Sequence, residues 1–217
     1  MLQALLNHPL TAQITTLSRR PPRAESPKLN AITSEDSHSW STNLSALSPT
    51  PNIFFSGLGT TRAAAGSFAN QYKIDHDLNI QLATAAKKAG IKVYVLISST
   101  GANSKSFFAY PKMKGELEDA VKALGFEKTI ILQPGMIVGD RVEYDKRGMP
   151  EHILMGVARF VGNWTGNKAT DFWAQDANVI ARAAVNAGLK AANGEGPAVW
   201  TMSQADIVRL GRTEWKE

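Results

Sequence analysis

Residues 91–114, IKVYVLISSTGANSKSFFAYPKMK, decide the fold. Val93–Ile97 is an unbroken apolar run of strand length, rich in β-branched residues, preceded by Gly90 and ended by Ser98-Ser99. A run without polar alternation suits a strand covered on both faces of a parallel sheet. A polar, glycine-containing loop (100–105), the aromatics Phe107, Phe108 and Tyr110, and a helical pattern over 112–124 follow it. Tyr110 and Lys114 stand four apart at the helix start, so one helix face presents both. Strand-end hydroxyls, a tyrosine and a lysine thus converge where open α/β sheets hold their ligands.

Those residue types suit one chemistry. Hydride addition to a carbonyl leaves an alkoxide that needs a proton, and a phenol held beside the oxygen can supply it. A neighbouring ammonium lowers a phenol's pKa, and a serine hydroxyl can donate to the carbonyl oxygen as charge develops. The expected roles are Tyr110 as acid/base, Lys114 as the charge that tunes it, and Ser99 as the orienting donor. A surface Tyr–Lys pair at helical spacing also arises by chance, and it is the strand-end serines that favour a site.

The rest of the chain repeats the pattern. A helix fragment over 1–7 precedes a short strand at 14–17, which ends in Arg19 and Arg20. Guanidinium pairs bidentately with phosphate, so these arginines could hold the 2′-phosphate of NADP; a solvated basic turn is the plainer reading. Residues 21–51 are polar and irregular, with a weak strand at 29–32 and a helical piece around 40–47. A buried strand at 52–56 runs into Gly57-Leu58-Gly59-Thr60-Thr61-Arg62, whose glycines let backbone approach a ligand closely. Helices are expected over 73–88, 151–161, 174–192 and 204–210, with strands at 128–132 and 198–201 and a polar loop holding Trp164 at 162–168. Strand–helix alternation with right-handed crossovers gives one doubly wound parallel domain over residues 1–217.

Composition narrows the function. With 217 residues, 43% hydrophobic and 20% charged, the chain can build an ordinary core. The net charge of +5 is scattered rather than blocked, so no nucleic-acid partner is expected. There is no cysteine, and the four histidines lack ligand spacing, so no metal site is expected. No apolar run is long enough to span a bilayer, which leaves peripheral membrane attachment. Phe107, Phe108, Met136, Ile153, Met155 and Trp164 could line an apolar pocket, though such residues more often form plain core.

Taken together, SGLGTTRAAAG, KIDHDLNIQLATAAKKAG, VLISSTGANSKSFFAYPKMKGELE and ILQPGMIVGDR, in this order and spacing, resemble the atypical short-chain dehydrogenase/reductases related to the Tat-interacting protein. The similarity is greatest to their fungal mitochondrial outer-membrane members. The resemblance implies a Rossmann-like sheet, NADP as cofactor, an unidentified small-molecule carbonyl as substrate, and the outer mitochondrial membrane as location. It maps Tyr110 and Lys114 onto the family's Tyr-x-x-x-Lys pair and Ser99 onto its serine, with Ser98 adjacent. Arg19 and Arg20 fall on its NADP-selecting positions, Gly57, Gly59 and Thr60 on its cofactor loop, and Pro134 and Gly135 beside the nicotinamide. One departure stands out. The family opens with a strand and a Gly-rich phosphate turn, whereas this sequence opens inside the helix that follows. The sequence therefore reads as N-terminally truncated by a central strand, between those at 14–17 and 52–56. Its alternative reading is a catalytically idle Rossmann scaffold used for protein interaction or membrane association.

Overall fold

The computed structural model describes residues 1–138 and 174–216. Strands β3 (Ile53–Ser56), β4 (Val93–Ile97), β5 (Lys128–Leu132) and β8 (Val199–Met202) form a parallel sheet in the order β3-β4-β5-β8. Val95 lies opposite both Phe55 and Ile130, so β4 is central. Its side chains alternate between two cores. Val93 and Val95 pack with Val179, Ala183, Ala184 and Ala187 of α7 (Ala177–Ala192). Tyr94 and Leu96 pack with Ala83 and Ala86 of α5 (Asn79–Lys88) and with Leu117 and Val121 of α6 (Ala109–Ala123). Burying each large side chain contributes about 1.5–3 kcal/mol, which is why this run carries no charged residue. The α7 helix comes close because Gly188 has no side chain: a Cβ there would lie 2.8 Å from the Phe55 ring.

Strands β1 (Ile14–Ser18) and β2 (Leu29–Thr33) form a separate parallel pair, as do β6 (Met136–Val138) and β7 (Ala174–Asp176). Among the described residues no ladder joins β1 to β3, between which the sequence reading placed a further strand. The two sheets share side chains instead: Leu17 of β1 and Phe54 of β3 pack against the same clusters, one of them built on Trp40 of α2 (Ser39–Ser45).

Four expected boundaries move. The helix α6 starts at Ala109 rather than 112, because Pro111 falls in the first turn, where its missing N–H costs nothing. The expected helix at 73–88 is preceded by α3 (Arg62–Ala65) and α4 (Phe68–Tyr72), and Lys73–Leu78 is a wider π-helical stretch leading into α5. Residues 174–176 are strand, and Asp176 caps α7 by accepting from the Asn178 N–H at 2.6 Å. The final helix α8 (Gln204–Val208) continues as a π turn over Arg209–Thr213. The helix expected over 151–161, the loop over 162–168, and Ile153, Met155 and Trp164 lie outside the described residues.

Candidate active site

Because β3, β4 and β5 run parallel, the segments after them meet at one edge: 57–61, 98–100 and 133–135. Cross-links fix that edge. The Thr100 N–H donates to the Pro134 carbonyl at 2.8 Å, and Thr100 Oγ1 donates to the Gln133 carbonyl at 3.0 Å.

The geometry separates the two adjacent serines. Ser98 is buried and donates to Glu118 Oε1 at 2.5 Å; Glu118 also accepts from Gln133 Nε2 at 3.0 and 3.1 Å. That makes Ser98 part of a buried polar brace. Ser99 Oγ instead donates to the Thr100 carbonyl at 3.3 Å and stands beside the Tyr110 phenol, whose pKa it lowers; Tyr110 is 43% exposed at the mouth of the edge. Lys114, one turn below Tyr110, is buried and donates to the Ile97 carbonyl at 3.2 Å. Ser99, Tyr110 and Lys114 are therefore brought together. The loop joining Ser99 to Tyr110 is held tightly, with the Asn103 N–H on the Pro111 carbonyl at 3.0 Å and the Ser106 N–H on the Asn103 carbonyl at 2.9 Å. Gly115 permits this: a Cβ there would meet Ser104 N at 2.1 Å.

The electrostatics differ from the sequence expectation in one respect. Tyr110 is held above the ordinary phenol pKa, not below it. Burial raises it most, the Ser99 hydrogen bond opposes this, and the Asp75 carboxylate adds to it. Lys114 is pulled below its ordinary value by burial, with Asp75 and Glu118 opposing. A buried ammonium turned toward the Ile97 carbonyl does not outweigh the desolvation of the phenol.

Asp75 and Asn79 are site residues that the sequence reading missed. Both are buried and lie four apart across the π-helical stretch. Asp75 Oδ1 accepts the Thr60 N–H at 2.6 Å, and its Oδ2 accepts from Gln71 Nε2 at 3.4 Å. Asn79 Oδ1 accepts from Ser56 Oγ at 2.5 Å, while its Nδ2 donates to the Leu58 carbonyl at 3.3 Å and the Asp75 carbonyl at 3.0 Å. Together they anchor the loop after β3 to the helix. The available signal was a pair of short polar residues on the inward stripe of an otherwise amphipathic helix.

The donor set suits a dinucleotide in part. Gly57 and Gly59 present exposed backbone beside Thr60, and Pro134 and Gly135 border the opposite side of the edge. Arg19 and Arg20 are exposed just after β1, where Ser18 Oγ donates to the Arg20 carbonyl at 2.7 Å. A glycine triad between a strand and α1 (Leu2–Asn7) does not occur among the described residues. Nor do those residues contain a side-chain cluster suited to a metal, or a helix long and apolar enough to cross a membrane.

No family model matches the sequence. Individual relatives do. The chain is 54% identical to the mitochondrial protein fmp52 of Aspergillus clavatus, over 97% of this chain and 92% of that one. It is 45% identical to mitochondrial fmp-52 of Neurospora crassa, over 100% and 91%. Among solved structures, it is similar to the Bordetella bronchiseptica enzyme WbmG in complex with NAD. The TM-score is 0.60 at 14% identity, covering 92% of this chain and 68% of that one. It is also similar to a UDP-glucose 4-epimerase from Thermotoga maritima, with a TM-score of 0.57 at 13% identity and coverage of 94% and 76%. At such identities the likeness is one of fold: a Rossmann-like α/β sheet.

Proposed function

The chain belongs to the fmp52 family of mitochondrial proteins, and on that premise we propose that it is an NADP-dependent oxidoreductase that reduces a small carbonyl compound. The observation that carries the reading is the convergence at the sheet edge of Ser99, the Tyr110 phenol whose pKa the Ser99 hydroxyl lowers, and buried Lys114 one turn below Tyr110. The wider kinship is with short-chain dehydrogenase/reductases, including the group related to the Tat-interacting protein. NAD in the structural neighbour WbmG supports a nicotinamide dinucleotide. Arg19 and Arg20, exposed after β1, support the phosphorylated form.

When bound, the nicotinamide supplies the hydride. The chain's own residues do the rest. Gly57, Gly59 and Thr60 would hold the dinucleotide on one side, and Pro134 and Gly135 on the other. Ser99 donates to the carbonyl oxygen and Tyr110 gives it a proton, a role suited to a phenol that stays protonated at neutral pH. The test is Tyr110→Phe, assayed with NADPH and a panel of aldehydes and ketones. Turnover should fall by roughly 10²–10⁴-fold with the fold intact; undiminished turnover refutes the assignment.

The same reading includes peripheral attachment to the outer mitochondrial membrane. Phe107 and Phe108 are 104% and 76% exposed at the tip of the rigid loop beside the site, flanked by exposed Lys105 and Lys112. Two aromatics between cations suit an anionic bilayer surface. They offer far less area than the roughly 800 Å² per partner of a stable protein interface.

A further inference from the structure

We propose that Glu118 is a positioning residue of the site, whose carboxylate ties the ends of β4 and β5 to α6 and so sets Ser99 and the Pro134–Gly135 segment against Tyr110. This deepens the oxidoreductase reading and rests on it for the roles of Ser99 and Tyr110.

Glu118 sits one turn beyond Lys114 on α6 and is almost wholly buried. A carboxylate is costly there unless donors surround it. Three do. Ser98 Oγ donates to Oε1 at 2.5 Å, Gln133 Nε2 donates to the two oxygens at 3.0 and 3.1 Å, and the Lys122 ammonium stands 3.5 Å from Oε2. Ser98 continues the face of β4 on which Tyr94 and Leu96 meet α6. The main chain carries the lock into the site. The Ser98 N–H donates to the Leu132 carbonyl at 2.8 Å and the Thr100 N–H to the Pro134 carbonyl at 2.8 Å, so Ser99 lies between two cross-strand bonds. The Gln133 N–H donates to the Met202 carbonyl of β8 at 3.0 Å, and the Gln133 carbonyl accepts from Thr100 Oγ1 at 3.0 Å. The two braced residues directly precede Ser99 and Pro134. One side chain thereby fixes both segments to the helix that carries Tyr110 and Lys114.

The arrangement demands an acceptor at both oxygens. Gln133 presents a single atom to the pair, so an amide at 118 would always meet it with one like contact. That contact is N–H against N–H or oxygen against oxygen, whichever way either amide turns. Lys122 would lose its counter-charge as well. Glu118→Gln therefore keeps the shape of the side chain while breaking the lock.

The experiment is backbone hydrogen exchange of the intact chain, read by NMR, beside a pH titration of ¹³Cζ-tyrosine. Tyr110→Phe identifies the Tyr110 resonance among the four tyrosines. In Glu118→Gln the protection of the Thr100 and Gln133 amides should fall about tenfold further than that of Val95 and Ile131 at mid-strand. Release of Ser99 from the phenol should raise the Tyr110 midpoint by about half a pH unit, whereas loss of a negative charge alone would lower it. Equal loss of protection along both strands, or an unmoved or lowered midpoint, overturns the proposal. Should Glu118→Gln not fold, Ser98→Ala deletes one donor and leaves the carboxylate its others. It must move both readouts in the same directions, and failure to do so is equally fatal. No turnover is needed, so an inactive Tyr110 would leave this result intact, and loss of the lock would leave the Tyr110→Phe assay intact.

Discussion

Gly115→Ala tests whether the loop and the helix of the site are one packed unit. A Cβ at 115 would lie 2.1 Å from Ser104 N and 2.3 Å from Asn103 C, both backbone atoms. That is about 1.3 Å inside the 3.4 Å at which ordinary contact begins, and no side-chain rotation can relieve it. The helix itself would gain about 1 kcal/mol from alanine in place of glycine. Overpacking costs about 1–3 kcal/mol, and more where backbone must move, so the clash wins. A net loss of about 2 kcal/mol corresponds to a fall in Tm of roughly 4–8 °C for a chain of this size. The loop it displaces joins Ser99 to Tyr110, so the Ser99 hydroxyl should move away from the phenol. Since that hydroxyl lowers the phenol's pKa, the Tyr110 midpoint should rise. Thermal unfolding and the tyrosine titration read both effects. A variant that melts at or above wild type refutes the packing argument.

Other expectations follow from single contacts. Ser203→Ala removes a reciprocal capping box with Asp206 and should cost α8 about 1 kcal/mol, read by chemical denaturation. Asp206 is held below the ordinary carboxyl range, first by its bond from Ser203. Its stabilisation is thus present above the unfolded pKa and lost as pH falls through the folded one. Asp206→Asn should flatten the acid limb of the stability profile. Phe107→Ser with Phe108→Ser should weaken sedimentation with phosphatidylcholine–cardiolipin vesicles at least tenfold or so. Equal binding, or a changed oligomeric state instead, would remove the membrane surface from the account.

The parts of the fold that were legible are those written by burial. The Val93–Ile97 run and the Ile130–Leu132 stretch of β5 carry no charged residue because both faces are covered, and that marked the sheet and the edge where Ser99 and Tyr110 meet. What escaped depends on geometry that spacing does not encode. The helical pattern was placed from 112, yet the helix begins at Ala109, with Pro111 in its first turn. Strands β6 and β7 are three residues each, too short to show a period. Asp75 escaped because helical spacing alone does not mark a carboxylate as buried; in the π-helical stretch it is almost wholly enclosed. Phe107, Phe108 and Met136 have the composition of core but stand in solvent, because a polar loop and a helix N-terminus carry the first two outward. Which of Ser98 and Ser99 faces the edge depends on strand pleat, which spacing does not encode; Ser98 turns inward to Glu118 and Ser99 lies beside Tyr110.

The most direct test of the central claim is a fluorescence titration of the purified chain with NADPH, run beside NADH. Micromolar binding that favours NADPH, and loses that preference in Arg19→Ala with Arg20→Ala, is the predicted result. A sample shown to be folded that binds neither nucleotide would contradict the oxidoreductase reading for this chain.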